Sequence, residues 1–208
     1  VPPHQDLVLD LMSDLEQFWH NENINVPQLI RIALSHYQFE TIHPFLDGNG
    51  RVGRLLIPLY LVSKGILKKP ILYLSDFFEK NRRLYYENLM LVRNNNNLSQ
   101  WFKFFLVGII ETAKNGITTF DNILQLQKTV ESSIQELGSR AVKAKKVVDY
   151  LYNRPMINAE KISEIVGISM PSAYKLIVDL EKIDILKEVT GGQRGRVYVF
   201  DNYLRLFK

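Results

Sequence analysis

The sequence predicts a mainly α-helical protein in two parts, a helical bundle followed by a smaller domain that carries a β-hairpin. Three observations predict it. Apolar residues recur at helical spacing through most of residues 5–137, in segments separated by polar breaks. Residues 55–62, Leu-Leu-Ile-Pro-Leu-Tyr-Leu-Val, are apolar all round, which marks a central helix expected to be buried on every side. Charge then shifts along the chain. Residues 1–138 carry 13 basic and 14 acidic residues, whereas residues 139–208 carry 13 and 8, so the net charge of +4 belongs to the last third.

The elements follow in order. Leu7, Val8, Leu11, Met12, Leu15, Phe18 and Trp19 predict an amphipathic helix over residues 5–20. Asn21 to Asn25 break it, and Pro27 suits the first turn of a second helix whose inward face is Leu29, Ile30, Ala33, Leu34 and Tyr37. His36 lies on this helix and reads as packing or capping, because no metal-type spacing includes it. Within residues 55–62, Pro58 should kink the helix or leave one carbonyl free, and Lys64-Gly65 stops it. Ser75 is the expected N-cap of a helix running to about Arg93, with Asp76 in its first turn. Asn94 to Asn97 read as a turn. Ser99 is the expected cap of the next helix, which packs Trp101, Phe102, Phe104, Phe105 and Leu106 inward until Gly116 interrupts it. Ile123, Leu124, Leu126, Val130, Ile134 and Leu137 continue a helical stripe to Gly138. The expected domains are therefore 1–115, a bridging helix over 116–138, and 139–208.

Chemistry concentrates in His43-Pro44-Phe45-Leu46-Asp47-Gly48-Asn49-Gly50-Arg51-Val52-Gly53-Arg54. Gly48 and Gly50 allow a turn whose N–H groups converge, and the helix that opens there adds free N–H groups and the positive end of its dipole. Arg51 and Arg54 leave one face of the first turn, and guanidinium forks match phosphate oxygens. Asp47 is an exposed carboxylate placed to hold Mg²⁺ beside a polyphosphate, and His43 can take a proton near neutral pH. A phosphate cradle, a metal ligand and a base on one loop suit phosphoryl or nucleotidyl transfer. Phe45 is expected to anchor the loop in the core.

This stretch matches the Fic motif, H-P-F-x-[D/E]-G-N-G-R-x-x-R, at every defined position. The flanks resemble Fic proteins too, in residues 33–40 (Ala-Leu-Ser-His-Tyr-Gln-Phe-Glu) and in Tyr85-Tyr86-Glu87-Asn88-Leu89, so the resemblance covers roughly residues 1–115. It implies a Fic-type helical bundle that transfers AMP from ATP to a serine, threonine or tyrosine hydroxyl of a protein and releases pyrophosphate. It places the phosphates over Gly48, Asn49 and Gly50. Asn49 and Arg51 would orient and neutralise them, Arg54 would reach the terminal phosphate, Asp47 would hold Mg²⁺ and His43 would act as base. Tyr85 and Tyr86 read first as core and surface aromatics, and by resemblance Tyr86 flanks adenine. Two family features are expected to be missing: a target-gripping flap upstream, and an inhibitory [S/T]-x-x-x-E-[G/N] motif. Glu22-Asn23 and Glu87-Asn88 have Phe18 and Arg83 where Ser or Thr is required. A chain opening on Val1-Pro2-Pro3 looks like the C-terminal part of a longer protein. Two other readings stay open: a Fic-fold enzyme of different output, such as de-AMPylation or transfer of another phosphate-containing moiety, and a nucleotide-sensing regulator that binds DNA.

The last third reads as helices over 141–152, 158–166 and from Ser169, the middle pair joined by a tight turn at Gly167. Ala173, Leu176, Ile177 and Leu180 form the buried face of the third, and strands at 185–189 and 196–200 surround Gly191-Gly192-Gln193-Arg194-Gly195. The region resembles a winged helix-turn-helix. One reading is DNA binding through Ser172, Tyr174 and Lys175, with Arg194 and Arg196 at phosphate. The other is a protein-docking or homodimerisation module, favoured because five surplus charges are modest for a DNA reader and Asp179, Glu181 and Asp184 would repel phosphate.

Composition narrows the classes further. Hydrophobic content of 46% with 23% charged residues is ordinary for a globular chain, and the absence of cysteine excludes disulfides and thiolate metal sites and fits a cytoplasmic protein. No apolar run reaches the roughly 20 residues that a membrane span needs.

Overall fold

The computed structural model describes residues 2–192 and 195–207. Its helices are α1 (Val8–His20), α2 (Gln28–Ile42), α3 (Asn49–Ser63), α4 (Ser75–Lys80), α5 (Arg82–Asn95), α6 (Leu98–Gln135), α7 (Ala141–Leu151), α8 (Ala159–Val166), α9 (Met170–Lys182) and α10 (Asp201–Arg205). The strands are β1 (Met156–Asn158), β2 (Lys187–Glu188) and β3 (Val197–Val199). The chain divides into two compact units, Val1–Gly116 and Ile117–Lys208.

In the first unit α2 packs against both α1 and α3. Trp101, Phe105 and Phe78 fill the core beside them, and the Trp101 indole N–H donates to the Ala33 carbonyl at 2.9 Å. Arg31 is buried, and its charge is met by carbonyls. The guanidinium donates to Phe18 O, to Asn21 O at 3.0 Å and to Ile24 O at 2.6 Å. It therefore staples the α1–α2 connection, while its face lies over the Phe18 ring at 5.0 Å. His36 is also buried. Its Nδ1 lies 3.0 Å from Gly53 O and its Nε2 3.0 Å from the Tyr85 hydroxyl. Because a carbonyl only accepts, Nδ1 carries the proton and Nε2 accepts from the phenol. Phe78 and Trp101 both stack near-parallel to the ring, with centroids 5.5 and 6.1 Å away.

Several expectations are corrected here. The α3 helix is not buried on every side, since Leu55 and Leu59, one turn apart, are 48% and 46% exposed. Ser75 is the first helical residue rather than the cap, and the segment after it is two helices broken at Asn81. Asn94 and Asn95 finish α5, Asn96 turns left-handed, and Asn97 rather than Ser99 caps α6, accepting from Gln100 N–H at 3.2 Å. Gly116 does not interrupt α6, which is continuous from Leu98 to Gln135. A mid-helix glycine costs about 1 kcal/mol, little against a helix of 38 residues.

In the second unit α7, α8 and α9 pack around Val147, Leu151, Ile162, Leu176, Ile177 and Leu180. Asn158 caps α8, accepting from Lys161 N–H at 2.9 Å, and Gly167 takes the left-handed conformation at φ 71°. Ala173, Leu176, Ile177 and Leu180 are the buried face of α9, as the spacing requires. The sheet is antiparallel in the order β1-β3-β2, with Ile157 opposite Tyr198 and Glu188 also opposite Tyr198. The sequence pattern missed β1 and α10. Its strand over 185–189 shrinks to Lys187–Glu188 because Ile185 and Leu186 turn into the core.

The His36 contacts make a stability prediction. Burial holds its imidazole down to about 4, from 6.5 in an unfolded chain. As pH falls from about 6.5 to 4 the unfolded state binds a proton that the native state refuses, so stability should drop by about 3 kcal/mol across that window. Urea midpoints against pH check it. His36→Gln should lower stability at pH 7 and flatten the acid slope, and parallel slopes in the two proteins would remove His36 as the cause.

Candidate active site

The α2 helix ends in a left-handed residue. His43 sits at φ 54°, ψ 56°, and its N–H donates to Phe39 O at 3.0 Å. This is the C-terminal position that glycine usually takes, and a histidine there stores of order 1 kcal/mol or more of strain. Five residues on, Gly48 is left-handed at φ 85° and leads α3. The loop between them is tied by Asn49, which is buried. Its Oδ1 accepts from Phe45 N–H at 2.8 Å and its Nδ2 donates to Phe45 O at 2.6 Å. Both ends of the Asn49 side chain are thus engaged by the loop, and it holds the loop's shape. Phe45 does not anchor in the core: it is 48% exposed and leans on Phe39 with ring centroids 6.3 Å apart.

No side chain caps the start of α3. Its first N–H groups therefore lack intrahelical acceptors, and the dipole's positive end faces outward. Arg54 folds back over Gly50, where an added Cβ would come within 3.0 Å of Nη1. Asp47 and Arg51 form an exposed ion pair at 2.8 Å.

A cavity of about 550 Å³ collects these groups. His43, Asp47, Gly48, Asn49, Gly50, Arg51, Arg54 and Tyr86 all line it, so every residue singled out in the first unit meets in one place. The opposite wall adds Ser75, Glu79 and Arg82, which the sequence did not distinguish from ordinary surface. Glu79 and Arg82 pair at 3.7 Å across the α4–α5 break. Tyr86 is half exposed and meets Tyr85 edge-on at 5.3 Å between ring centroids. A second cavity, of about 590 Å³ between α1 and α2, holds none of the motif residues.

The sequence-selected residues of the second unit are placed as follows. Ser172, Tyr174 and Lys175 are exposed on α9, with the Ser172 hydroxyl 3.0 Å from that of Ser169. Arg196 is exposed and donates from Nε to Gly192 O at 2.8 Å. Arg194 lies outside the described residues. Asp179, counted against a phosphate partner, is buried and ion-paired to Arg140. Among the described residues no three His, Asp or Glu side chains cluster as a ready-made metal cage, and no helix is long and apolar enough to cross a membrane.

Known proteins resemble this chain in sequence and in fold. Residues 1–61, which contain the loop, match the sequence model of the Fic/DOC family. The chain is 27% identical to a probable protein adenylyltransferase of Aquifex aeolicus over 177 residues, 77% of this chain and 53% of that protein. It is 30% identical to protein adenylyltransferase Fic of Drosophila erecta over 105 residues, covering 50% of this chain and 20% of the fly protein. The chain thus spans about half the length of the bacterial relative and a fifth of the fly one. A crystal structure of a Fic family protein from Desulfovibrio desulfuricans shares the fold at a TM-score of 0.54 and 22% identity, over 96% of this chain and 56% of that one.

The Asn49 clamp is directly testable. Asn49→Ala leaves the Phe45 N–H and C=O without partners, which should cost about 1–3 kcal/mol. Thermal melts give the loss, and hydrogen exchange at the Phe45 amide should accelerate more than exchange in the core of α6. A melt unchanged from wild type would show that the clamp contributes nothing.

Proposed function

We propose that the chain is a member of the Fic family and a protein adenylyltransferase, moving AMP from ATP to a serine, threonine or tyrosine hydroxyl on a protein. One observation carries the reading. A titratable base, two guanidiniums, a carboxylate and an uncapped helix N-terminus converge on a single cavity of a size suited to a nucleotide.

The phosphates fit over the turn at Gly48 to Gly50, where backbone N–H groups and the α3 dipole favour negative charge. Gly48 is needed for its positive φ of 85°. Arg51 and Arg54 neutralise phosphate oxygens as forks, Arg54 from over Gly50 toward the terminal group. Tyr86 offers its ring to the adenine. The donor set fits Mg²⁺, which commonly takes one or two protein carboxylates and completes its shell from substrate phosphates and water. Asp47 would hold it, and the ion would supply charge neutralisation to the phosphates. His43 accepts the target hydroxyl's proton as that oxygen bonds to the α-phosphorus. The bond to the β-phosphate oxygen breaks and pyrophosphate departs with its electrons. Placement and electrostatics supply most of the acceleration in such transfers.

The second unit supports a second role. We read its α8–α9 pair and the β2–β3 hairpin as a winged helix-turn-helix, with the outward face of α9 as reading surface. Asp179 is withdrawn into an ion pair with Arg140, so that face carries less negative charge than the sequence suggests. Lys175, Lys182 and Arg196 remain exposed or half-exposed around it. Duplex DNA is the partner this second reading proposes, with a docked protein as its alternative.

Two outcomes check these roles. His43→Ala should reduce transfer of label from α-labelled ATP by about 10²–10⁴-fold while leaving ATP affinity nearly intact; transfer at the wild-type rate would remove His43 from the chemistry. Duplex affinity should fall steeply with salt, and Lys175→Ala should lower the slope of log K against log salt by about one. Weak, salt-insensitive binding at low ionic strength would return α9 to protein contact.

A further inference from the structure

Midway along α6 the helix buries none of its faces. Residues 113–118 are all exposed, and together they make more than one full turn. The local sequence does little to keep them helical. Asn115, Gly116, Ile117, Thr118 and Thr119 are all weak helix formers, and most helical stability in proteins comes from packing an apolar face. Yet α6 runs unbroken from Leu98 to Gln135. The same stretch carries large apolar side chains into solvent, with Ile117 64% and Phe120 60% exposed. Contiguous apolar surface of this kind marks a place where another surface docks.

The spacing identifies what docks there. Ile110, Ala113, Ile117, Phe120 and Leu124 follow one another at alternating intervals of three and four, the a/d seam of a coiled coil, and Gln127 takes the next d position. All six are exposed. The e positions beside them hold Lys114 and Asp121, both exposed and neither paired with a described residue of its own chain. We propose that α6 is a homodimerisation helix, residues 110–127 of two copies closing into an antiparallel seam. Setting Ile117 against Phe120 of the second copy puts Ala113 against Leu124 and Ile110 against Gln127, and the two-fold axis repeats each layer in reverse. Large residues then meet smaller ones in every layer. In that register the e positions face each other, so Lys114 meets Asp121 on both sides of the axis. Gly116 stands opposite Ile123 and leaves it room, since a Cβ at Gly116 meets nothing within its own chain. A parallel pair fits worse. It stacks Phe120 on Phe120 and Ala113 on Ala113, and it turns Lys114 and Asp121 toward Ile109, Gly116 and Ile123, which carry no charge. The charges thus select a second copy, and select its direction. The proposal goes beyond the transferase reading, does not depend on it, and places self-association on α6 rather than in residues 139–208.

Sedimentation equilibrium of the full chain tests it. The seam is only about 27 Å long, so a reversible dimer with Kd of order 10 µM is expected. Ile117→Glu and Phe120→Glu, both at exposed positions, should each weaken it by about tenfold or more and leave the melt of the dilute protein unchanged. Lys114→Glu and Asp121→Lys should each weaken it about fivefold, and the two together should restore it. Amide exchange through residues 113–119 should slow as protein concentration rises. Because the chain has no cysteine, Lys114→Cys and Asp121→Cys chains can be mixed under mild oxidation, and the expected disulfide joins one to the other. A chain that stays monomeric up to about 1 mM overturns the proposal and leaves the seam to a helix of another protein. A dimer that tolerates both Ile117→Glu and Phe120→Glu overturns it too, because its contact lies on another face. So does a Lys114→Cys chain that cross-links to itself in preference to Asp121→Cys, which excludes the antiparallel register.

Discussion

Two hydrogen bonds from one buried side chain fix the shape of the site. The Asn49 carboxamide engages the N–H and the carbonyl of Phe45, closing the loop into a ring from within the helix that follows it. At either end stand residues in left-handed backbone, His43 and Gly48, which turn the chain out of α2 and into α3 over five residues. Glycine reaches that conformation freely; histidine does so at a cost, and the clamp is what holds it there. The candidate base is thus placed by backbone geometry rather than by a hydrogen bond to its own ring. Its direction follows from the loop's closure.

Beneath the loop the constraint is a close approach of helices. Gly53 lets α3 lie against α2 at Glu40, Phe39 and His36. This forms a thin polar layer between the aromatic core of Phe78, Trp101 and Phe105 and the floor of the cavity. Within it His36 is tied to α3 and α5, and Tyr85 back to α2. A shift of α5 would therefore move the ring that holds the Gly53 carbonyl, and with it the first turns of α3. Tyr86 follows Tyr85 on the same helix, so the wall opposite the loop keeps its register through the same bond. Buried polar contacts of this kind specify one arrangement of helices where apolar packing alone tolerates several.

Much of this was legible in the sequence, in proportion to how local the constraint is. The loop announced itself because its demands are met within twelve residues: glycines for the turn, arginines spaced for one helical face, a base and a carboxylate. The caps at Asn158 and Gly167 and the buried face of α9 followed from spacing in the same way. What failed depended on partners far along the chain. Asn49 looks like a ligand from its neighbours and proves to be a clamp once Phe45 folds back. Glu40 looks like the polar end of an amphipathic turn until α3 closes over it. Ser75 and Ser99 are good caps by type, yet Leu74 and Asn97 hold those positions because the tertiary path sets where each helix begins. The strand at Met156–Asn158 is invisible alone, since three residues become a strand only when β3 arrives beside them.

The charges at the mouth of the cavity differ from those beneath it in what it costs to separate them. Asp47 and Arg51 meet in an exposed pair, and such pairs contribute at most about 1 kcal/mol because solvent competes for both partners. A phosphate taking Arg51 and a cation taking Asp47 therefore displace little stability, and each incoming group meets a side chain already facing the cavity. Glu40 is the reverse case. Water cannot reach Oε1, which has no hydrogen-bond partner, and this desolvation pushes the Glu40 carboxyl up. The site thus divides its electrostatics by depth. Exchangeable charges lie where ligands enter, and a desolvated carboxyl lies beneath them.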